Sequence, residues 1–267
     1  MDETIEKETP DKPANLLDET ADRLGSDIRA AVETLGNLGV FLWRGLSQPW
    51  SYRRIVEQMF SLGIQSLGLI IFISTFVGFI SPLAMYSLTQ GMFLSYLGTA
   101  VLRAVLVDMG PTFTGLILAG RMGTRIASEL GSMRVTEQLD AMTCLNLDPY
   151  KYVVCPRLVA SFLIGPMMFV MSSIVAIVSA QVLATFALGL PAFKFYSSMK
   201  ILFDDKIIYI GLYKSIVFTG LIGLAGCYFG FNVTGGASGV GKASRATVTG
   251  ASVLLLIANF FLTAILT

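Results

Sequence analysis

The chain has 267 residues, of which 54% are hydrophobic and 14% charged, whereas soluble domains carry about 25% charged residues. A net charge of +1 and the lack of any basic block interleaved with aromatics exclude a nucleic-acid-binding surface. Histidine is absent, which excludes His-based acid–base chemistry, His-ligated metals and Ser-His triads.

Residues 1–25 are charged, contain two prolines and read as a disordered cytoplasmic tail. Residues 26–58 are amphipathic, with Ile28, Val32 and Leu35 at helical spacing. Both tryptophans, Trp43 and Trp50, lie there beside Arg44, Arg53 and Arg54. This predicts a helix lying in the headgroup layer, the alternative being a soluble N-terminal helix. Gln48-Pro49 breaks the segment in two.

The remainder, 59–267, reads as a five-span helical domain. No formal charge occurs between Glu57 and Arg103, Arg157 and Lys194, or Lys214 and Lys242, nor after Arg245. A span needs about 20 apolar residues. The runs predict spans near 60–87, 99–125, 152–187, 207–230 and 246–266, with a polar segment at 129–148 and a Gly- and Ser-rich loop at 231–245. The short alternating segments of a membrane barrel are absent. With the N-terminus inside, eleven Lys and Arg fall at inner ends (Arg29, Arg44, Arg53, Arg54, Arg121, Arg125, Arg134, Lys151, Arg157, Lys242, Arg245). At most five fall outside (Arg103, Lys194, Lys200, Lys206, Lys214). That asymmetry predicts a cytoplasmic N-terminus and polar segment, and an external C-terminus.

Within the second span, Gly115, Ala119, Gly123, Ala127 and Gly131 recur every four residues and make a ridge of small side chains that another backbone can approach. Arg121, Arg125 and Glu129 ride on roughly the opposite side. The polar segment then shows apolar teeth at Met133, Leu139 and Met142, and Arg134 and Glu137 at i,i+3. Asp148-Pro149 reads as an N-cap with Pro at the first helical position. Glu129, Arg134, Glu137 and Asp140 are open to a second reading, a merely solvated helix face.

Three features invite chemistry. Gly236–Lys242 matches most of a phosphate-binding loop, but Ala243 stands where the Mg²⁺-binding hydroxyl belongs, and the segment lies between membrane spans. Asp108 is the single carboxylate inside a span; it is either functional or near the outer boundary and partly hydrated. Lys214 sits in the outer part of the fourth span, close enough to its end to be able to snorkel. Cys144, Cys155 and Cys227 stand alone and read as small apolar fillers.

AGRMGTRIASELGSMRVTEQLDAM followed by LDPYKYVVCPRLVA resembles the signature of the MlaE/YrbE family, permease subunits of ABC lipid transporters that work with MCE proteins. The likeness continues at DMGP (Asp108–Pro111), YKSIVF (Tyr213–Phe218) and GGASGVGKASRATV (Gly235–Val248), and covers the chain from about residue 28 onward. It implies an all-α membrane protein with five transmembrane helices, an interfacial helix and a cytoplasmic coupling helix between spans 2 and 3. Glu129, Leu130, Met133, Arg134, Glu137 and Asp140 would couple to a separate ATPase that holds ATP and Mg²⁺, with no cofactor or metal in this chain. Phe79, Leu83, Tyr86, Leu102, Asp108, Lys214 and Asn259 would line a lipid cavity; at Asn259 relatives often carry Asp. Implied partners are a second copy as a homodimer, the ATPase, an MCE-domain protein outside and phospholipid as cargo, in the bacterial inner membrane. Two other classes compete. An ion-coupled secondary transporter usually shows several intramembrane carboxylates and internal repeats, against one carboxylate and an odd number of spans here. The other is a passive membrane scaffold.

Overall fold

The computed structural model describes residues 36–45, 47, 51–89, 96–201 and 204–266. The tail 1–25, the helical positions Ile28, Val32 and Leu35, and the Gln48-Pro49 break lie outside them. The chain divides into two compact units, Met1–Trp43 and Arg44–Thr267. In the first, residues 36–43 are helical.

The second unit is helical, with no strand among the described residues. Five helices are long and apolar enough to cross a membrane. They are α1 (Tyr52–Thr89), α2 (Leu97–Val135), α4 (Tyr150–Leu188), α6 (Asp205–Phe231) and α7 (Gly236–Leu266). Two short helices join them, α3 (Gln138–Cys144) between α2 and α4, and α5 (Ala192–Ile201) between α4 and α6. The long helices outrun the apolar stretches of the sequence. Residues 52–58, expected to end the interfacial segment, are the first turns of α1, because a hydrogen-bonded ladder continues through Arg53, Arg54 and Glu57 after the apolar run stops. Likewise Gly236–Arg245, expected as part of a loop, is the start of α7. The chain turns instead at residues 232–235, where Gly235 takes φ +87°.

α6 is the centre of the bundle and packs against α4, α2 and α7, while α1 packs mainly on α4. Close approach requires small residues, since lipid tails give apolar side chains no preference for each other. A Cβ on Gly223 would lie 2.4 Å from Cβ of Ser161 on α4, and one on Gly230 would lie 2.9 Å from the Ala127 carbonyl on α2. The ridge of small residues on α2 is used as its spacing predicts. Gly115 faces Leu255 and Phe218, Gly123 faces Thr247 and Ile222, and Gly131 faces Val233 and Val240. It lies in the seam between α6 and α7.

Gly223→Val should therefore destabilise the purified chain by about 1–3 kcal/mol through overpacking. Gly68→Ala, which meets nothing within 4 Å, should be neutral or slightly stabilising. Thermal unfolding midpoints in detergent check both.

Candidate functional site

Two polar centres interrupt this apolar bundle, one in the half of α2 that begins at Leu97, named the outer half after the expected topology, and one towards its Val135 end, named the inner end. The outer one begins with a proline. Pro111 has no N–H, so the Val107 carbonyl four residues earlier loses its ordinary helical donor. The backbone around it widens into an i→i+5 turn at Ala104–Met109. Lys214 of α6 supplies the missing donor: its Nζ donates to the Val107 carbonyl at 2.9 Å, to Oγ1 of Thr263 on α7 at 2.7 Å, and to Oδ1 of Asp108 at 3.2 Å. The Lys214 side chain is 0% exposed, whereas that of Asp108 is 55% exposed. Lys214 thus does not snorkel. It is held inside because three acceptors from two other helices fully satisfy its ammonium. One turn before Thr263, Oδ1 of Asn259 is buried without a partner among the described residues.

The inner centre is built on Glu129. Its carboxylate accepts from Nε of Arg125 at 2.8 Å, one turn earlier, and from Nη2 of Arg157 on α4 at 3.1 Å. Arg125 also donates to the Ser61 carbonyl at 3.0 Å and to the Gln65 side chain on α1. One carboxylate thereby ties α1, α2 and α4 together where they emerge. Past Val135 the chain reverses: Glu137 takes the left-handed conformation at φ 58°, which ends α2 and starts α3. The expected Arg134–Glu137 helical pair is therefore not formed. Arg134 reaches across the turn to Oδ1 of Asp140 at 2.6 Å instead. α3 packs back on α2 through buried Leu139. The return into α4 follows the sequence pattern, with the Asp148 carboxylate accepting from the Tyr150 N–H at 2.9 Å and Pro149 opening the helix. The result is a compact polar knob whose outward surface includes Val135, Glu137, Gln138, Asp140, Ala141 and Leu145.

The sequence profile of the family described as Permease MlaE matches residues 55–265. The chain belongs to the MlaE permease family. It is 30% identical over 236 residues, 86% of this chain and 91% of the relative, to a probable ABC transporter permease protein of Rickettsia prowazekii (strain Madrid E). It is 32% identical to a probable ABC transporter permease protein of Synechocystis (79% of this chain, 80% of that one). It is also 31% identical to the chloroplastic protein trigalactosyldiacylglycerol 1 of Arabidopsis thaliana (83% and 68%). These likenesses make it a membrane permease subunit of the ABC transporter type.

In this MlaE permease the residues singled out from the sequence fall into distinct places. Glu129 is half-buried in its ion network, and Leu130 and Leu139 are buried within the chain, so these three hold the knob in position. Met133, Met142 and Arg134 are half-buried, while Glu137 and Asp140 are exposed. Asp108 and Lys214 meet directly, and Lys214 bonds Thr263, one turn from Asn259. Leu102 is buried in the outer core, Phe79 is half-buried, and Leu83 and Tyr86 lie exposed along α1. None of these seven lines the outer cavity of about 660 Å³ that lies among α2, α6 and the end of α7. Arg103, Val107, Lys206 and Ile210 do, along with the α2 residues Thr99 and Ala100. The sequence signal for that cavity was Arg103, a cation in the outer turns of a span. Thr263 and Arg157 were the residues the sequence reading did not assign to a site; a hydroxyl and a cation at opposite ends of different spans carry no shared local pattern.

Removing the ammonium in Lys214→Met should cost about 1–3 kcal/mol, the penalty for orphaning a buried carbonyl. Pro111→Ala restores the N–H that the Val107 carbonyl lacks, so the same lysine substitution should cost measurably less in that background. A double-mutant cycle on detergent unfolding midpoints checks it. Equal cost in both backgrounds would show that Lys214 does not serve that carbonyl.

Proposed function

We propose that this permease moves phospholipid or a similar apolar lipid between the bacterial inner membrane and an MCE-domain partner on the outer side. ATP hydrolysis takes place in a separate ATPase subunit. The observation that carries the reading is the knob: a short polar helix, clamped by Arg134–Asp140 and rooted in the Arg125–Glu129–Arg157 network, at the end of the helix that also bears the outer polar centre. An ATPase pressing on its exposed face would load α2, α4 and α1 together through one carboxylate. The Arabidopsis relative, whose name refers to a galactolipid, supports lipid as the cargo class.

The outer cavity, with Arg103 and Lys206 against the single carboxylate Asp204 amid apolar walls, suits an amphiphile with a polar head. Gly236–Lys242 is helical from its first residue and follows a membrane-length helix, so it is not the strand–loop–helix cradle of a nucleotide site. This supports placing ATP and Mg²⁺ in the partner. α7 exposes Val253, Leu256, Ile257, Phe260, Phe261 and Ile265. A second copy across a two-fold axis would cover that face and complete the passage. The excess of Lys and Arg at the knob end supports a cytoplasmic knob and N-terminus.

Two experiments test this. In Glu137→Lys, reversal of an exposed charge on the knob should weaken co-purification of the ATPase and lower lipid transfer, since loss of one interfacial charge partner costs about 2–5 kcal/mol. Membrane insertion should be unchanged, and Glu6→Lys should do neither. Wild-type behaviour of Glu137→Lys in both assays would reduce it to a solvated residue. In a Cys-free background, a cysteine at Ala192 should react with an impermeant maleimide from outside and one at Ser238 should not. The reverse pattern would invert the topology.

A further inference from the structure

The inner end of the bundle holds more positive charge than it neutralises. Arg125 and Arg157 share one carboxylate, Glu129, and the ion pairs among the described residues give Arg121, one turn before Arg125, no acidic partner. Arg121 donates Nη2 to the Gln65 carbonyl of α1 at 2.7 Å, which fixes the guanidinium and leaves its other N–H groups available. It borders a cavity of about 300 Å³ between α1 and α2, lined also by Gln65, Ser66, Gly120, Thr124 and Arg125. The hydroxyls there are already used, Ser66 on the Leu62 carbonyl and Thr124 on the Arg121 carbonyl. The two guanidinium groups and the Gln65 side-chain NH₂ are the donors left to a ligand, and the guanidinium groups are the charged ones. Gly120 keeps the space open, since a Cβ built on it meets nothing within 4 Å.

Depth identifies the ligand. From Leu97 to Arg121 the helix rises about 36 Å at 1.5 Å per residue, slightly more than the roughly 30 Å hydrocarbon core. In a span that begins at Leu97, Arg121 therefore reaches headgroup level on the opposite side. Gln65 of α1 is at the same level, and above it on the same helical face stand Leu69, Phe72 and Phe76, all exposed. A fixed arginine pair facing a cavity matches a phosphate geometrically and in charge. An apolar strip rising from that cavity matches acyl chains. We infer that the α1–α2 cleft is a phospholipid site on the knob side of the membrane, the Arg121 and Arg125 guanidinium groups binding the phosphodiester and Leu69, Phe72 and Phe76 receiving a tail. The inference does not depend on the outer cavity or on the direction of transport.

The test is native mass spectrometry of the purified full-length chain in detergent, with three probes: dioleoyl phosphatidylglycerol, dioleoylglycerol with the same tails and no phosphate, and inorganic phosphate. The wild type should retain one phosphatidylglycerol with defined affinity and not the diacylglycerol. Arg121→Gln, and separately Gly120→Leu, which fills the cleft without altering charge, should each weaken retention about tenfold. Arg121→Lys should lie between. Unchanged retention in Arg121→Gln and Gly120→Leu overturns the site. So does equal retention of diacylglycerol, which would mean that tails alone bind. Displacement of the lipid by millimolar inorganic phosphate would reassign the arginines to a free anion. Loss of lipid only when an ATPase subunit is added would make them a protein contact. If Arg121→Gln shifts the unfolding midpoint, Gly120→Leu decides.

Discussion

The structure depends on satisfying backbone carbonyls where prolines remove their donors inside a hydrocarbon-facing bundle. Without water, each orphaned group is costly, so another atom must reach it. Three of the four prolines inside the long helices, Pro82, Pro111 and Pro156 but not Pro166, show the same solution. The Gly78 carbonyl, four residues before Pro82, accepts from the Ser81 hydroxyl at 3.3 Å. The Val107 carbonyl, before Pro111, accepts from Lys214. The Tyr152 carbonyl, before Pro156, is approached by Nη1 of Arg54 at 3.5 Å, with the guanidinium stacked over the Tyr152 ring. In the first case the donor is local. In the other two it is a cation from a different helix, so a backbone defect becomes an interhelical tie that fixes α6 on α2 and α1 on α4.

Those ties sit at opposite ends of the molecule, and α2 connects two centres of the same kind. Its outer half is bound to α6 and α7 through Lys214 and Thr263, and its inner end to α1 and α4 through Arg125, Glu129 and Arg157. Between them the small-residue ridge lets it lie tightly in the seam of α6 and α7. Two widened turns, Ala104–Met109 and Ala119–Gly123, are the places where its regular ladder is already relaxed. One of these turns coincides with the Lys214 anchor and the other precedes the Arg125–Glu129 anchor by a few residues.

The division of labour among charged residues follows burial. Glu129 and Lys214 look alike in the sequence as isolated charges near span ends. One became the hub of a half-buried network at the knob end and the other a fully buried staple. Glu137 and Asp140, by contrast, remain at the surface and give the knob its outward character.

Five spans, the inner knob, the ridge on α2 and the Asp148-Pro149 re-entry were legible in the chain itself. Each rests on a one-dimensional property: charge-free run length against bilayer thickness, four-residue periodicity, and cap chemistry within three residues. The family followed from motif blocks for the same reason. Tertiary structure decided the rest. It made the Gly236–Arg245 segment a helix, because stacking on the ends of α2 and α6 overrides the weak helix propensity of Gly and Ser. It sent Arg134 to Asp140 instead of Glu137, because the left-handed residue at 137 breaks the helix that would have aligned them. It buried Lys214, whose acceptors Val107 and Thr263 lie 107 and 49 residues away along the chain. Spacing within one helix determines which side chains share a face. Which groups meet across helices is set by the packing of distant segments, and no local pattern encodes it.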